Sequence, residues 1–215
     1  MSHAPIPDLT EEYTLRASGH TYVAGLDEAG RGAWAGPVCA GAVVLPLDRD
    51  NLAAIMHGVR DSKLLTPTER DELLRVIHEV ALGVGVGWAE PADVDRFGVV
   101  AATRKAMKQA LTALDGQISG QAEALLIDHL LLPGVNLPQR ALPKADCRCL
   151  SVAAASIVAK VARDRLMIAL DETYPGYGFA RHKGYGTRQH REALRRLGPA
   201  PIHRMSWRPF REKLI

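Results

Sequence analysis

Tyr22-Val-Ala-Gly25-Leu26-Asp27-Glu28-Ala-Gly30-Arg31-Gly32 sets an apolar run against two adjacent acids and a Gly-Arg-Gly. The apolar part reads as a strand over residues 21–27. Adjacent carboxylates repel, so folding alone does not favour them at the end of a buried strand. A hard cation such as Mg²⁺ takes oxygen ligands and makes such a pair favourable. The glycines let the backbone approach another group closely. Together these features point to a metal held against a phosphate backbone.

Outward from this stretch, residues 37–45 (Pro-Val-Cys-Ala-Gly-Ala-Val-Val-Leu) form a second, almost wholly apolar run, expected to be a strand buried on both faces. The small-residue span Ala29 to Gly36 between them suits a tight turn. Thr66-Pro67-Thr68-Glu69 opens a helix with a cap, a proline at the first turn and a glutamate three residues on, and that helix is expected to run to Ala81. Residues 82–89 alternate glycine with larger apolar residues, as in a strand closely approached on one face. Three consecutive strands imply an antiparallel meander. A helix is expected near 98–114, a short strand over Ala124–Asp128, a long helix from Ser151 to about Thr173, and a shorter one over Thr187–Leu197. Residues 1–19 read as a loose arm or short helix. The whole is an α/β layered domain followed by a basic helical tail.

The chain has 215 residues, 47% apolar and 24% charged, ordinary values for a globular protein with a sizeable core. No apolar run reaches the length of a membrane span, and the polar, proline-broken N-terminus does not read as a signal peptide. Three cysteines, Cys39, Cys147 and Cys149, make no disulfide framework, so a reducing cytoplasm is expected. Cys147-Arg-Cys149 is half of a zinc pattern without its second half. Charge is uneven: residues 140–215 hold 16 Lys/Arg against 6 Asp/Glu, net +10, and residues 1–139 are net −7. A basic C-terminal third on an acidic body fits a polyanionic partner; a solubilising surface would show the same charge.

Asp27, Glu28 and Asp128 end apolar runs, and Asp146 lies just ahead of the long helix. Strand ends on one edge of a sheet converge, so these four acids can meet, and paired divalent ions need several carboxylates in one place. Any one of them alone reads first as turn chemistry or a helix cap; the set together with the basic tail points to a site. Asp61-Ser62-Lys63 is a further polar island, in which Asp61 and Ser62 can shape a turn and Lys63 can reach a phosphate. Tyr185, between glycines in His182-Lys-Gly-Tyr185-Gly186, can contact a sugar or its 2′-hydroxyl, or simply brace a loop. Asp164 is expected in an ion pair within or between helices. His182, His190 and His203 lack ligand spacing and read as polar surface or phosphate contacts.

Five motifs occur in order: Gly25-Leu-Asp-Glu-Ala-Gly-Arg-Gly32, Asp61-Ser-Lys-Leu-Leu65, Ser151-Val-Ala-Ala-Ala-Ser-Ile-Val-Ala-Lys-Val-Ala-Arg-Asp164, His182-Lys-Gly-Tyr-Gly-Thr187 and Pro201-Ile-His-Arg-Met-Ser206. Over roughly residues 20–210 the chain resembles ribonuclease HII, the type 2 ribonuclease H. The resemblance implies a ribonuclease H-like fold, a five-stranded mixed sheet flanked by helices with a helical C-terminal extension. It divides the chain into an arm (1–19), a catalytic domain (20–180) and a basic extension (181–215). It implies cleavage of the RNA strand of RNA–DNA hybrids and incision at single ribonucleotides in duplex DNA, leaving 3′-hydroxyl and 5′-phosphate ends. Asp27, Glu28, Asp128 and Asp146 map to the metal-binding catalytic acids, with Mg²⁺ or Mn²⁺ as cofactor. Gly30, Arg31 and Gly32 map to a backbone clamp on the 2′-hydroxyl, and Tyr185 to the reader of the RNA-to-DNA junction. A monomer is expected, without membrane association.

Several positions depart from the family pattern. His129 and Ala145 stand where glycine is common, and Trp34 and Trp207 replace smaller residues or phenylalanine, read here as packing changes. The short N-terminal segment argues against the type 3 relative. A non-catalytic binder of the same fold would have lost the acids. A phosphotransferase built on the Gly30–Gly32 loop would need Gly-x-x-x-x-Gly-Lys-Ser/Thr, which is absent.

Overall fold

A computed structural model describes residues 6–212. Residues 1–5 of the expected arm and 213–215 of the expected extension lie outside the described residues. The first strand, β1 (Val23–Ala29), runs two residues further than expected. Asp27 and Glu28 are therefore inside the ladder, opposite Gly41 and Ala40 of β2 (Val38–Val44). The apolar second run is buried at all seven positions of β2, as its composition demands. β3 (Gly83–Ala89) pairs antiparallel with β2 and completes the expected meander.

β4 (Ala124–Asp128) lies parallel to β1 on its other side, and β5 (Gln139–Leu142) is parallel to β4. The sheet order is β3-β2-β1-β4-β5, a mixed five-stranded sheet. Residue-level patterning missed β5. Its sequence, Gln-Arg-Ala-Leu, is half-buried and lacks the apolar alternation that marks a strand.

Helices cover both faces. α5 (Val99–Asp115) packs with Ala24, Leu26, Leu125 and Ile127 on one face. α6 (Leu150–Thr173) packs with Val23, Val43 and Leu126 on the other. α6 comes very close because its first turns are small residues and the sheet answers with glycine. A Cβ added at Gly25 would lie 2.3 Å from the Ser151 carbonyl carbon, and one at Gly41 would lie 2.3 Å from the Ala155 oxygen. The same logic seats α5 on the glycines of β3, where a Cβ at Gly85 would meet the Ala110 carbonyl.

α1 (Thr10–Ala17) sends the fully buried Glu12 to the start of α6. There its Oε1 accepts from the Ser151 N–H at 2.8 Å and the Ser151 hydroxyl at 2.7 Å. α2 (Leu52–Ile55) is a single turn. α3 (Pro67–Val80) has the capping box its sequence announces, with Thr66 and Glu69 exchanging bonds. α4 (Pro91–Phe97) was not legible because it is short and largely polar. α7 (Phe179–His182), α8 (Arg188–Leu197) and α9 (Arg208–Arg211) follow α6. They form a separate small core of Tyr177, Phe179, Ala193 and Leu194 around Ala35 and Met167. An isolated bridge from Ala35 to His203 ties this region to the turn after β1. No helix among the described residues is long and apolar enough to cross a membrane.

Candidate active site

The parallel register pairs Leu26 with Ile127, so the next residues, Asp27 and Asp128, lie level at the carboxyl ends of adjacent strands. The pleat turns both toward the α6 face and turns Glu28 the opposite way. All three nevertheless line one cleft of about 580 Å³, together with Gly30, Arg31, Gly32, Lys63, Lys160 and Tyr185. Asp146 is carried in a 3-10 turn (Ala145–Cys147) just before α6. The N–H of Ala145 donates to the Asp128 carboxylate at 2.9 Å, which locks that turn to the end of β4. The Nζ of Lys63 lies 3.7 Å from both the Asp146 and the Asp61 carboxylates and joins Asp146 to the cleft.

The acids crowd each other. Burial, then the charges of Glu28 and Asp128, hold the Asp27 carboxyl well above its usual range. Burial raises Glu28, with Arg31 opposing at 3.5 Å. Burial and then Asp61 raise Asp146, with Lys63 opposing. Lys63 itself is raised: burial opposes its charge, but Asp61, Asp27, Asp146 and Asp128 together outweigh that cost. The Oε2 of Glu28 is buried without a hydrogen-bond partner among the described residues. An orphaned carboxylate oxygen beside the charges of Asp27 and Asp128 fits a hard divalent cation, which supplies the missing partner and the missing charge. Asp61, Asp146 and Cys147 also place one ligand atom each within 4.8 Å of one another. Spacing alone did not reveal Asp61 in this group. Its turn role is real too, since it accepts the Lys63 N–H at 2.9 Å.

The turn after β1 is the other wall. The N–H groups of Gly30, Arg31 and Gly32 donate to no protein acceptor among the described residues, whereas Trp34 and Ala35 donate to the Gly184 carbonyl. Tyr185 is 39% exposed and borders the cleft. Asp164 forms the expected ion pairs, with Lys160 at 2.8 Å along α6 and with Arg70 of α3 at 3.8 Å. Trp34 packs on His190, Phe210 and Gly186, and Trp207 on the α5-side core. Both are packing residues, as expected. His129 has φ +63°, the left-handed region in which a glycine would be unstrained.

The three C-terminal histidines correct the sequence reading. They are buried, not surface groups. His182 and His190 stack with centroids 4.5 Å apart, and the Nε2 atoms of His190 and His203 lie 3.0 Å apart. His182 accepts from the Gly184 N–H and faces the Tyr177 carbonyl; His190 faces the Tyr185 carbonyl; His203 accepts from the Ala200 N–H. One neutral tautomer on each ring satisfies every one of these bonds. Burial lowers the pKa of all three, His190 to about 4.

The sequence model of the family described as ribonuclease HII matches residues 24–209. The chain belongs to the ribonuclease HII family. It is 50% identical over 210 residues to the ribonuclease HII of Chloroflexus aurantiacus, covering 98% of this chain and 97% of that one. It resembles the ribonuclease H2 structure from Pyrococcus horikoshii with a TM-score of 0.70 and 27% identity, over 89% of this chain and 96% of that one. It also shares its fold with Bst-RNase HIII solved in complex with Mn²⁺, with a TM-score of 0.65 and 21% identity, over 91% and 70% of the two chains. Membership in the ribonuclease HII family makes the protein a ribonuclease H, a divalent-metal-dependent hydrolase that cuts the RNA strand of RNA–DNA hybrids.

Proposed function

We propose that this member of the family also incises at single ribonucleotides embedded in duplex DNA, leaving a 3′-hydroxyl and a 5′-phosphate. The observation that carries the reading is the juxtaposition in one cleft of buried, mutually repelling carboxylates and a turn whose three N–H groups have no acceptor among the described residues. Asp27, Glu28, Asp128 and Asp146 would hold two Mg²⁺ or Mn²⁺ ions. Bound there, the ions supply activation of water and neutralisation of charge at phosphorus and the leaving oxygen. Similarity to a fold relative solved with Mn²⁺ agrees with an ion of this class.

The protein's own groups do the rest. Gly30, Arg31 and Gly32 present N–H donors to the ribose 2′-hydroxyl, so a deoxyribose leaves them unpaired. Tyr185 meets the sugar beyond the junction. Lys63 reaches a phosphate beside the acids and, through Asp61 and Asp146, stays aimed at it. The basic extension holds the duplex through phosphates, so binding weakens with salt.

The test is a duplex with one ribonucleotide beside an all-DNA control, assayed with Mg²⁺, Mn²⁺ and chelator. Incision confined to the ribonucleotide and lost with chelator is expected. Cutting of long hybrids with none at a lone ribonucleotide would refute the wider substrate range. Tight binding without turnover under any divalent ion would instead mark a binder that kept the fold.

A further inference from the structure

Arg163 and Arg204 are 1% and 0% exposed, yet neither has a carboxylate within ion-pairing distance among the described residues. Asp164, next to Arg163, is engaged by Lys160 and Arg70. A buried charge without a partner is costly and persists only where something offsets it. Every donor these two guanidiniums use goes to a backbone carbonyl. Arg204 donates to Gly30 at 2.8 Å, Arg31 at 2.9 Å and Gly36 at 2.8 and 3.1 Å. Arg163 donates to Ala35 at 3.1 Å, Pro37 at 2.9 Å and Lys183 at 3.0 Å. Five of these six carbonyls belong to residues 30–37, the turn that walls the cleft.

A peptide unit has two ends. A carbonyl pulled inward by a buried cation turns the next N–H the other way. Arg204 holds the Gly30 and Arg31 carbonyls, so the N–H groups of the same peptide units, those of Arg31 and Gly32, face the other way, and neither has an acceptor among the described residues. Gly30 is also where a side chain cannot fit: its φ is +84°, and a Cβ would strike the Arg163 guanidinium. The guanidinium of Arg163 lies 5.6 Å from the Tyr185 ring centre, so the same cation supports both the turn and the tyrosine.

We propose that Arg163 and Arg204 are the positioning residues for ribose recognition: Arg204 fixes the outward N–H groups of Arg31 and Gly32 from behind, and Arg163 braces the rest of the turn and Tyr185 beside them. The inference rests on the 2′-hydroxyl reading of that turn. It adds that the selectivity is set by residues more than 130 positions away in sequence that never touch the substrate. Loss of such a charge-assisted bond weakens ribose discrimination about tenfold without removing the acids that hold the metals.

The experiment compares full-length wild type with Arg204→Met, which removes the charge, and with Arg204→Lys and Arg163→Lys, which keep it but lose the fork. Affinity is measured in Ca²⁺ for a one-ribonucleotide duplex and its all-DNA twin, with thermal melting alongside. The ribonucleotide preference should fall about tenfold in every folded variant while metal affinity holds within about twofold. A folded variant that keeps the wild-type preference overturns the proposal, whatever its melting temperature. The wild type supplies a readout that no variant can spoil. The guanidinium N–H resonances of Arg163 and Arg204 should shift on binding the ribonucleotide duplex and not the all-DNA one, and identical shifts with both would also overturn it. If the wild type itself shows no preference between the duplexes, the reading of the turn fails first, and separately.

Discussion

The two walls of the cleft are built on opposite electrostatic mistakes. On the strand side, Asp27, Glu28 and Asp146 are buried with too little positive charge near them. Behind the turn, Arg163 and Arg204 are buried with no carboxylate within ion-pairing distance among the described residues. An ordinary fold would pair the two sets and gain stability. Here Arg31 reaches Glu28 at only 3.5 Å, and the buried arginines are spent on carbonyls. The acid imbalance is thus left for divalent cations to resolve, while the arginines are held against the carbonyls of the turn. Binding energy is large where the free protein is least satisfied.

The comparison breaks hardest at Asp27. Asp27→Asn should lower cleavage by roughly 10³-fold or more, as loss of a group that stabilises transition-state charge does, with hybrid binding largely kept. The same change should raise the melting temperature of the metal-free protein. The sign follows from the raised pKa: ionised Asp27 costs stability, so its contribution is present below the ordinary 3.8 and lost as pH climbs through the raised value. Melting curves with and without chelator separate the two effects, because divalent ions should stabilise wild type far more than the variant. A metal-free variant that melts lower than wild type would show that the acids are not in conflict.

Gly25 tests whether the acid wall depends on the close seating of α6. Gly25→Ala drives a methyl into the Ser151 backbone and should cost about 1–3 kcal/mol by overpacking, read from denaturant midpoints. The histidine cluster tests the other wall. Its neutral rings hold the Tyr185 carbonyl and the segment after Gly184. With folded pKa values below the ordinary 6.5, their contribution is complete above that pH and drains away as pH falls toward about 4. A loss on the order of 2 kcal/mol is expected across that window, seen as a change in Trp34 fluorescence, since Trp34 lies 5.8 Å from His190. A flat profile from pH 7 to 4 would put the charge-free histidine network in doubt. The smallest effect belongs to His129→Gly beside Asp128. Relief of the left-handed strain should stabilise by up to about 1 kcal/mol, with cleavage unchanged.

Much of the acid wall was legible because its signals are contiguous. An apolar run, two acids and a glycine turn sit within eleven residues, and the Thr66–Glu69 cap is a four-residue pattern that the structure reproduces. The boundary error at β1 has a simple cause. Asp27 and Glu28 look like the end of a strand by polarity, yet their backbones pair with Gly41 and Ala40 because the ladder is indifferent to side-chain charge. The arginine wall was not legible. Arg163 and Arg204 lie in a tract rich in basic residues, and composition reads them, like His182, His190 and His203, as solvated charge.

The sequence by itself determined the order of the meander and the small-residue face of α6, and it singled out the four acids as candidates, since each is written in local pattern and residue type. Only the tertiary structure decided which charges are buried and what they face. The Arg204 bond to Gly30 spans 174 positions and the Arg163 bond to Pro37 spans 126. No local pattern encodes such pairings. They exist because the C-terminal helices fold back onto the turn after β1 and shut water out from behind it.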